Sequence, residues 1–184
     1  MNKKSIKMVA LLGFALQVLC ASASFAADVH WNRIVGVITA ADDALTEDDE
    51  HLNNPVGAIG SGTFPWTVRS GRAHVNLSTG GISFEFHGLN IVGNIFSGTP
   101  GPITAVVGTL VCNPGTTQTA VDTSDVSING EGDARFSGTL QNVPATCANP
   151  LFLVRIASLN LPGVDPDAAD GAWIATGAER DINN

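Results

Sequence analysis

Turn-forming residues interrupt this chain at short intervals, and that spacing is the strongest constraint on its fold. Beyond residue 26, clusters of Gly, Thr, Ser, Asn and Pro separate short runs rich in Val, Ile, Phe and Thr. Turn signals about every 8–12 residues are typical of β-sandwiches. No long segment keeps the 3.6-residue period of an amphipathic helix, and the only helix candidate is Thr46–Leu52. We therefore expect an all-β, single-domain antiparallel β-sandwich, jelly-roll or immunoglobulin-like, over residues 27–184.

The apolar runs predict ten strands. Two of them, Ile103–Cys112 and Leu151–Ala157, are almost continuously apolar, which indicates strands buried on both faces. Arg155 lies inside the second run, and we expect it to reach an acid or the sheet edge because an unpaired buried charge is costly. The remaining predicted strands are Ile34–Ala40, Trp66–Arg69, Arg72–Leu77, Ile82–Leu89, Thr119–Val121, Val126–Ile128, Ala134–Leu140 and Trp173–Thr176.

One hairpin can be registered from the sequence. Apolar and polar residues alternate through both Arg72–Leu77 and Ile82–His87, and a Ser-Thr-Gly-Gly turn lies between them. Pairing Leu77 with Ile82 places every apolar side chain of the two strands on one face. We therefore predict that this face is buried and that the polar face is solvated.

The polar face of this hairpin is a candidate metal site. The predicted register sets His74 opposite Glu85, with His87 as a diagonal neighbour. Two imidazoles and a carboxylate can bind zinc or copper. The alternative is an ordinary solvated face carrying a cross-strand ion pair.

A second candidate is the acidic segment that contains Asp165, Asp167 and Asp170. Three carboxylates followed by Gly171 are similar to a Ca²⁺ loop. The spacing has one residue more than the EF-hand pattern, and the closing glutamate is missing. The segment is thus either a Ca²⁺ site or a plain surface loop, and no motif for another cofactor is present.

The first 26 residues have the pattern of a signal peptide. Three lysines precede the apolar run Met8–Leu19, and small residues occupy the positions before Ala27, so we predict cleavage between Ala26 and Ala27. The apolar run is shorter than the roughly 20 residues that span a bilayer. A lipoprotein anchored at Cys20 is the alternative, although Leu19 is larger than the residue a lipobox requires.

Cleavage would leave a strongly acidic chain. Residues 27–184 carry six arginines, no lysine and 17 acidic residues, a net charge of −11. Nucleic-acid binding needs a basic surface. The net charge of −11 therefore argues against a nucleic-acid partner. No later segment is long and apolar enough to be a membrane span. We expect a soluble protein exported to the periplasm or the cell exterior.

Two cysteines remain after cleavage, Cys112 and Cys147. An even number of cysteines in an exported chain predicts one disulfide. Closing this loop of about 35 residues would stabilise the fold by about 3.8 kcal/mol on the chain-entropy account. The alternative is a pair of free thiols.

Four strings between Gly108 and Arg180 carry a faint resemblance: GTLVC, GDARFSGTL, PLFLVR and WIATGAER. With the second cysteine ahead of the third string, this part of the chain resembles a group of small exported bacterial proteins with no assigned activity. The resemblance implies export, an all-β fold and the disulfide. It implies no functional residue.

No catalytic or cofactor motif stands out in the sequence. The G-x-S-x-G nucleophile pattern is missing, and Gly60-Ser61-Gly62 is an ordinary flexible loop composition. Short loops on a disulfide-tied β framework are suited to carry binding sites. We expect a non-catalytic structural or ligand-binding module at the cell envelope or outside it. The alternative is a metal-binding protein or a metal-dependent enzyme.

Overall fold

The computed structural model describes residues 28–38, 54–115, 117–160 and 171–183, and all regular secondary structure in these ranges is β. The predicted signal peptide and the helix candidate Thr46–Leu52 lie outside the described residues. Within the described ranges, no helix could cross a membrane. The strands are β1 Asp28–Gly36, β2 Trp66–Thr67, β3 Ser70–Asn76, β4 Gly81–His87, β5 Asn90–Ile91, β6 Ile103–Cys112, β7 Thr119–Asp122, β8 Val126–Ser127, β9 Ala134–Thr139, β10 Leu151–Leu159 and β11 Trp173–Asn183.

Nine of these strands form one sheet, in the order β7-β6-β10-β11-β1-β3-β4-β9, with β8 paired to β6. Strands β2 and β5 form a separate two-stranded sheet. Every pairing between named strands is antiparallel. The predicted all-β antiparallel architecture is therefore confirmed, and its two layers are the two halves of one curled sheet.

Aromatic side chains hold the two halves together. Phe152 of β10 lies 5.8 Å from Trp31 of β1 and 5.3 Å from Phe84 of β4, measured between ring centroids. Trp66 and Trp173 are also buried. The three tryptophans of the chain therefore pack in the core, where their apolar surface stabilises the fold.

The two apolar runs form interior strands, as predicted. Strand β6 pairs with β10 on one side and with β7 and β8 on the other, and β10 lies between β6 and β11. Arg155 reaches an acid, as expected: its Nη1 donates to both carboxylate oxygens of Asp122 at 3.0 Å. Its Nε also donates to the carbonyl of Gly171 at 2.7 Å, so the charge in this strand is fully partnered.

The predicted disulfide between Cys112 and Cys147 is confirmed, with 4.7 Å between the two Cα atoms. Asn113, the next residue after β6, reinforces the link. Its side-chain amide donates to the carbonyl of Thr146 at 3.3 Å and accepts from the backbone N–H of Ala148 at 2.9 Å. The backbone N–H of Asn113 also donates to the carbonyl of Ala148 at 2.9 Å. The loop before β10 is thus bound to the end of β6 by a covalent bond and by hydrogen bonds.

The hairpin of β3 and β4 has the predicted faces but a different register. Val75 pairs with Ile82, whereas the sequence predicted Leu77 in that position, so the predicted register is wrong by two residues. Asn76 causes the shift, because its Oδ1 accepts from the backbone N–H groups of Ser78 and Thr79 and its carbonyl accepts from Gly80. This closes a four-residue turn. An even shift keeps the faces, and the apolar face is buried.

Candidate functional site

The outer face of β1, β3, β4 and β9 forms a groove of about 450 Å³. Because side chains alternate between the two faces of a strand, the residues between the core positions all point to this side. We call this feature the polar groove. Its polar lining residues are His30, Asn32, Arg72, His74, Ser83, Glu85, Arg135 and Ser137.

One row of charged residues crosses the polar groove. Glu85 of β4 lies directly opposite Arg72 of β3 on one side and Arg135 of β9 on the other. Its Oε1 forms an ion pair with Nη2 of Arg72 at 2.8 Å. The side chain of Arg135 has no hydrogen bond or ion pair within the described part of the chain. The row therefore contains one paired and one unpaired guanidinium group.

A second row of imidazole and hydroxyl groups runs parallel to the first. His30 of β1 is opposite His74 of β3, which is opposite Ser83 of β4, which is opposite Ser137 of β9. The rings of the two histidines stack, with centroids 4.3 Å apart and an interplanar angle of 27°. This row presents hydrogen-bonding groups that can both donate and accept.

Asp28 fixes the end of this second row. Its Oδ1 lies 3.2 Å from Nε2 of His74 and accepts a hydrogen bond from Nδ2 of Asn76 at 2.9 Å. Asn32 is held in turn, because its Nδ2 donates to Oδ2 of Asp181 at 2.7 Å. Strand pairing therefore positions these groups, and neighbouring polar groups orient them.

A separate cluster lies beyond the polar groove, at the end of β4. Asp133 Oδ2 lies 3.4 Å from Nδ1 of His87, and its Oδ1 lies 3.9 Å from Nη2 of Arg69. The backbone N–H of Gly88 donates to Oδ1 at 2.9 Å. That hydrogen bond is the largest cause of the lowered pKa of Asp133. Desolvation is the next largest effect and opposes it, while His87 and Arg69 lower the pKa further.

The predicted geometry of the transition-metal site is wrong. His74 faces Ser83, and Glu85 faces Arg72, because the register differs by two residues. His74, Glu85 and His87 are engaged by three different partners: Asp28, Arg72 and Asp133 respectively. Among the described residues, no three His, Cys, Asp or Glu side chains are grouped so that they could hold a metal ion. The Ca²⁺ candidates Asp165, Asp167 and Asp170 lie outside the described residues.

The sequence prediction missed four polar residues of the groove: His30, Asn32, Arg135 and Ser137. Strand β1 begins at Asp28, six residues before the predicted Ile34, and this extension carries His30. The signal was present, since Val29 and Trp31 are apolar and alternate with polar neighbours. Arg135 was placed on a strand, but its position next to Glu85 depends on the pairing of β4 with β9, which are distant in sequence.

Comparisons with known proteins give no relative: no protein-family model, curated protein or solved structure matches the chain.

Proposed function

We propose that this chain is an exported, non-catalytic ligand-binding module that acts at the cell envelope or outside the cell. The polar groove is its binding site. The observation that carries the proposal is the convergence of polar side chains from four strands on one groove of about 450 Å³. A cavity of this size accommodates a small organic molecule.

The ion pairs made by the side chains of the polar groove support ligand binding as its role. Glu85 is held by Arg72, and His74 is held by Asp28. Side chains oriented by such partners lose little further freedom when a ligand binds, so less conformational entropy opposes binding. The lining residues also lie on strands of one continuous sheet, which is a rigid support for a binding site.

Export is supported by the disulfide and by the amino-terminal sequence pattern. A disulfide between Cys112 and Cys147 persists in an oxidising compartment and is rare in the cytosol. Fractionation of expressing cells, with the intact mass of the protein, tests this part. We expect exported protein that begins at Ala27. A cytoplasmic protein that retains residues 1–26 would contradict it.

Binding can be tested by thermal melts with four probes of different chemistry: D-galactose, D-galacturonate, citrate and L-glutamate. The Ser137→Trp variant places a bulky side chain in the polar groove. Ala120→Trp adds the same ring at an exposed position of β7, outside the polar groove, and is the matched control.

We expect at least one probe to raise the melting temperature of the wild type and of Ala120→Trp but not that of Ser137→Trp. A probe that stabilises all three proteins equally would contradict binding in the polar groove. The absence of any stabilisation by the four probes would contradict the proposed function.

A further inference from the structure

The two rows of the polar groove present different chemistry at a fixed separation. Arg135 and Ser137 lie two residues apart on β9, and Glu85 and Ser83 lie two residues apart on β4. Two residues of a strand span about 6.7 Å. The charged row and the hydroxyl row are therefore about one sugar ring apart.

The charged row favours a negatively charged group at Arg135. Two arginines flank one carboxylate, and only Arg72 is paired with it in the described structure. The guanidinium of Arg135 remains available, and its planar fork matches the two oxygens of a carboxylate. Adjacent strands lie about 4.8 Å apart, so Glu85 also stands beside this position. A ligand with one carboxylate can pair with Arg135, whereas a second carboxylate would lie near Glu85 and be repelled by it.

The second row favours hydroxyl groups. Ser83 and Ser137 are direct neighbours across β4 and β9, and His74 lies on the other side of Ser83. Serine hydroxyls donate and accept, as the hydroxyls of a sugar do. The row is thus suited to a ligand that carries several hydroxyls on one edge.

We propose that the polar groove binds a uronic acid, either free or at the end of an acidic oligosaccharide. Its carboxylate binds Arg135, and its ring hydroxyls bind Ser83, Ser137 and His74. This inference rests on the proposed function and names the ligand class of the same site. Arg135 places one unpaired positive charge at this position in a chain whose residues 27–184 carry a net charge of −11.

Isothermal titration calorimetry tests the inference with D-galacturonate, trigalacturonate, D-galactose and acetate. Galacturonate carries both chemical features, whereas galactose lacks the carboxylate and acetate lacks the hydroxyls. We expect galacturonate to bind at least about tenfold more tightly than galactose or acetate. Galactose cannot form the charge-assisted hydrogen bond with Arg135, and acetate cannot form the hydrogen bonds with the hydroxyl row. Tighter binding of trigalacturonate than of galacturonate would indicate that the polar groove takes the end of an oligosaccharide. Equal or weaker binding of the trimer would indicate the free uronic acid.

Two variants separate a specific contact from a general charge effect. Arg135→Gln removes the proposed carboxylate ligand, and Arg33→Gln removes the same charge from an arginine that pairs with Glu179 outside the polar groove. We expect about a tenfold loss of galacturonate affinity for Arg135→Gln and little change for Arg33→Gln. Arg135→Lys should be intermediate, since lysine keeps the charge but not the planar fork.

Equal affinity for galacturonate and galactose would overturn the inference, as would an equal loss in the two glutamine variants. Acetate binding as tightly as galacturonate would overturn the role of the hydroxyl row. If citrate, glutamate or galactose stabilises the protein through the polar groove and galacturonate does not bind, the inference fails while the proposed function stands.

Discussion

Gly108 of β6 lies directly against the aromatic ring of Phe84 of β4. A Cβ atom at position 108 would lie 2.5 Å from Cε1 of that ring and 3.1 Å from Cε2 of Phe152. The two strands belong to opposite halves of the curled sheet, so this glycine sets how closely the halves approach.

Gly108→Ala should destabilise the protein, and Gly108→Val should do so more strongly. Phe84 is buried and also packs on Phe136 and Phe152, so its ring cannot yield to an added side chain. Overpacking of this kind typically costs about 1–3 kcal/mol. Urea unfolding measures the loss. Gly130→Ala, where an added Cβ meets no atom within 4 Å, is the control and should change stability by less than about 0.5 kcal/mol.

Loss of the disulfide should lower stability without changing the fold. Replacing Cys112 and Cys147 together with serine removes a bond that closes a 35-residue separation and is worth about 3.8 kcal/mol on the chain-entropy account. Because 1 kcal/mol corresponds to about 2–4 °C in a domain of this size, the melting temperature should fall by about 8–15 °C. Melts followed by circular dichroism test this. An unchanged melting temperature would contradict it.

Asp133→Asn should reduce stability at neutral pH and have less effect in acid. The lowered pKa of Asp133 means that its ionised form stabilises the folded state. That contribution is present above the pKa of the unfolded chain and is lost as the pH falls through the folded-state pKa, below 3.8. Urea unfolding from about pH 7 to pH 2 should therefore bring variant and wild type together. Asp125→Asn, at an exposed position, is the control. A difference that stays constant with pH would contradict the assignment.

Chelation should leave the melting temperature unchanged. The two histidines and the glutamate of the candidate transition-metal site are engaged by Asp28, Arg72 and Asp133. Removal of a tightly held ion would instead cost about 4 kcal/mol, the stabilisation at a thousandfold excess over Kd. Melts in EDTA and with added Ca²⁺, Zn²⁺ and Cu²⁺, together with elemental analysis, decide this. A stoichiometric metal would favour the metal-binding alternative, and a rise with Ca²⁺ alone would point to the Asp165–Asp170 segment.

Local patterns located ten of the eleven strands in the described residues, but they missed β5 and made β1 begin too late and β11 end too early. The bounds of Ile103–Cys112 agree with β6, and the alternation in β3 and β4 gave the correct buried face. These successes rest on periodicity, which is a property of neighbouring residues. The register of the hairpin failed because a single side chain, Asn76, moved the four-residue turn one position toward the amino terminus.

The polar groove could not be predicted because it depends on pairings between distant parts of the chain. His30 lies opposite His74 through the pairing of β1 with β3, and Arg135 lies opposite Glu85 through that of β4 with β9. Alternation shows which residues of a strand share a face, but it does not state which strands are neighbours. The groove residues could therefore be placed on strands but not brought together.

Mapping of backbone amide shifts by two-dimensional NMR tests the role of the polar groove most directly. The four probes, D-galactose, D-galacturonate, citrate and L-glutamate, are each titrated into uniformly ¹⁵N-labelled protein. We predict that at least one probe causes saturable shifts concentrated on β1, β3, β4 and β9, with Arg135 and Ser137 among the most affected. Shifts confined to other parts of the chain, or none with any of the four probes, would contradict the assignment of the polar groove as a binding site.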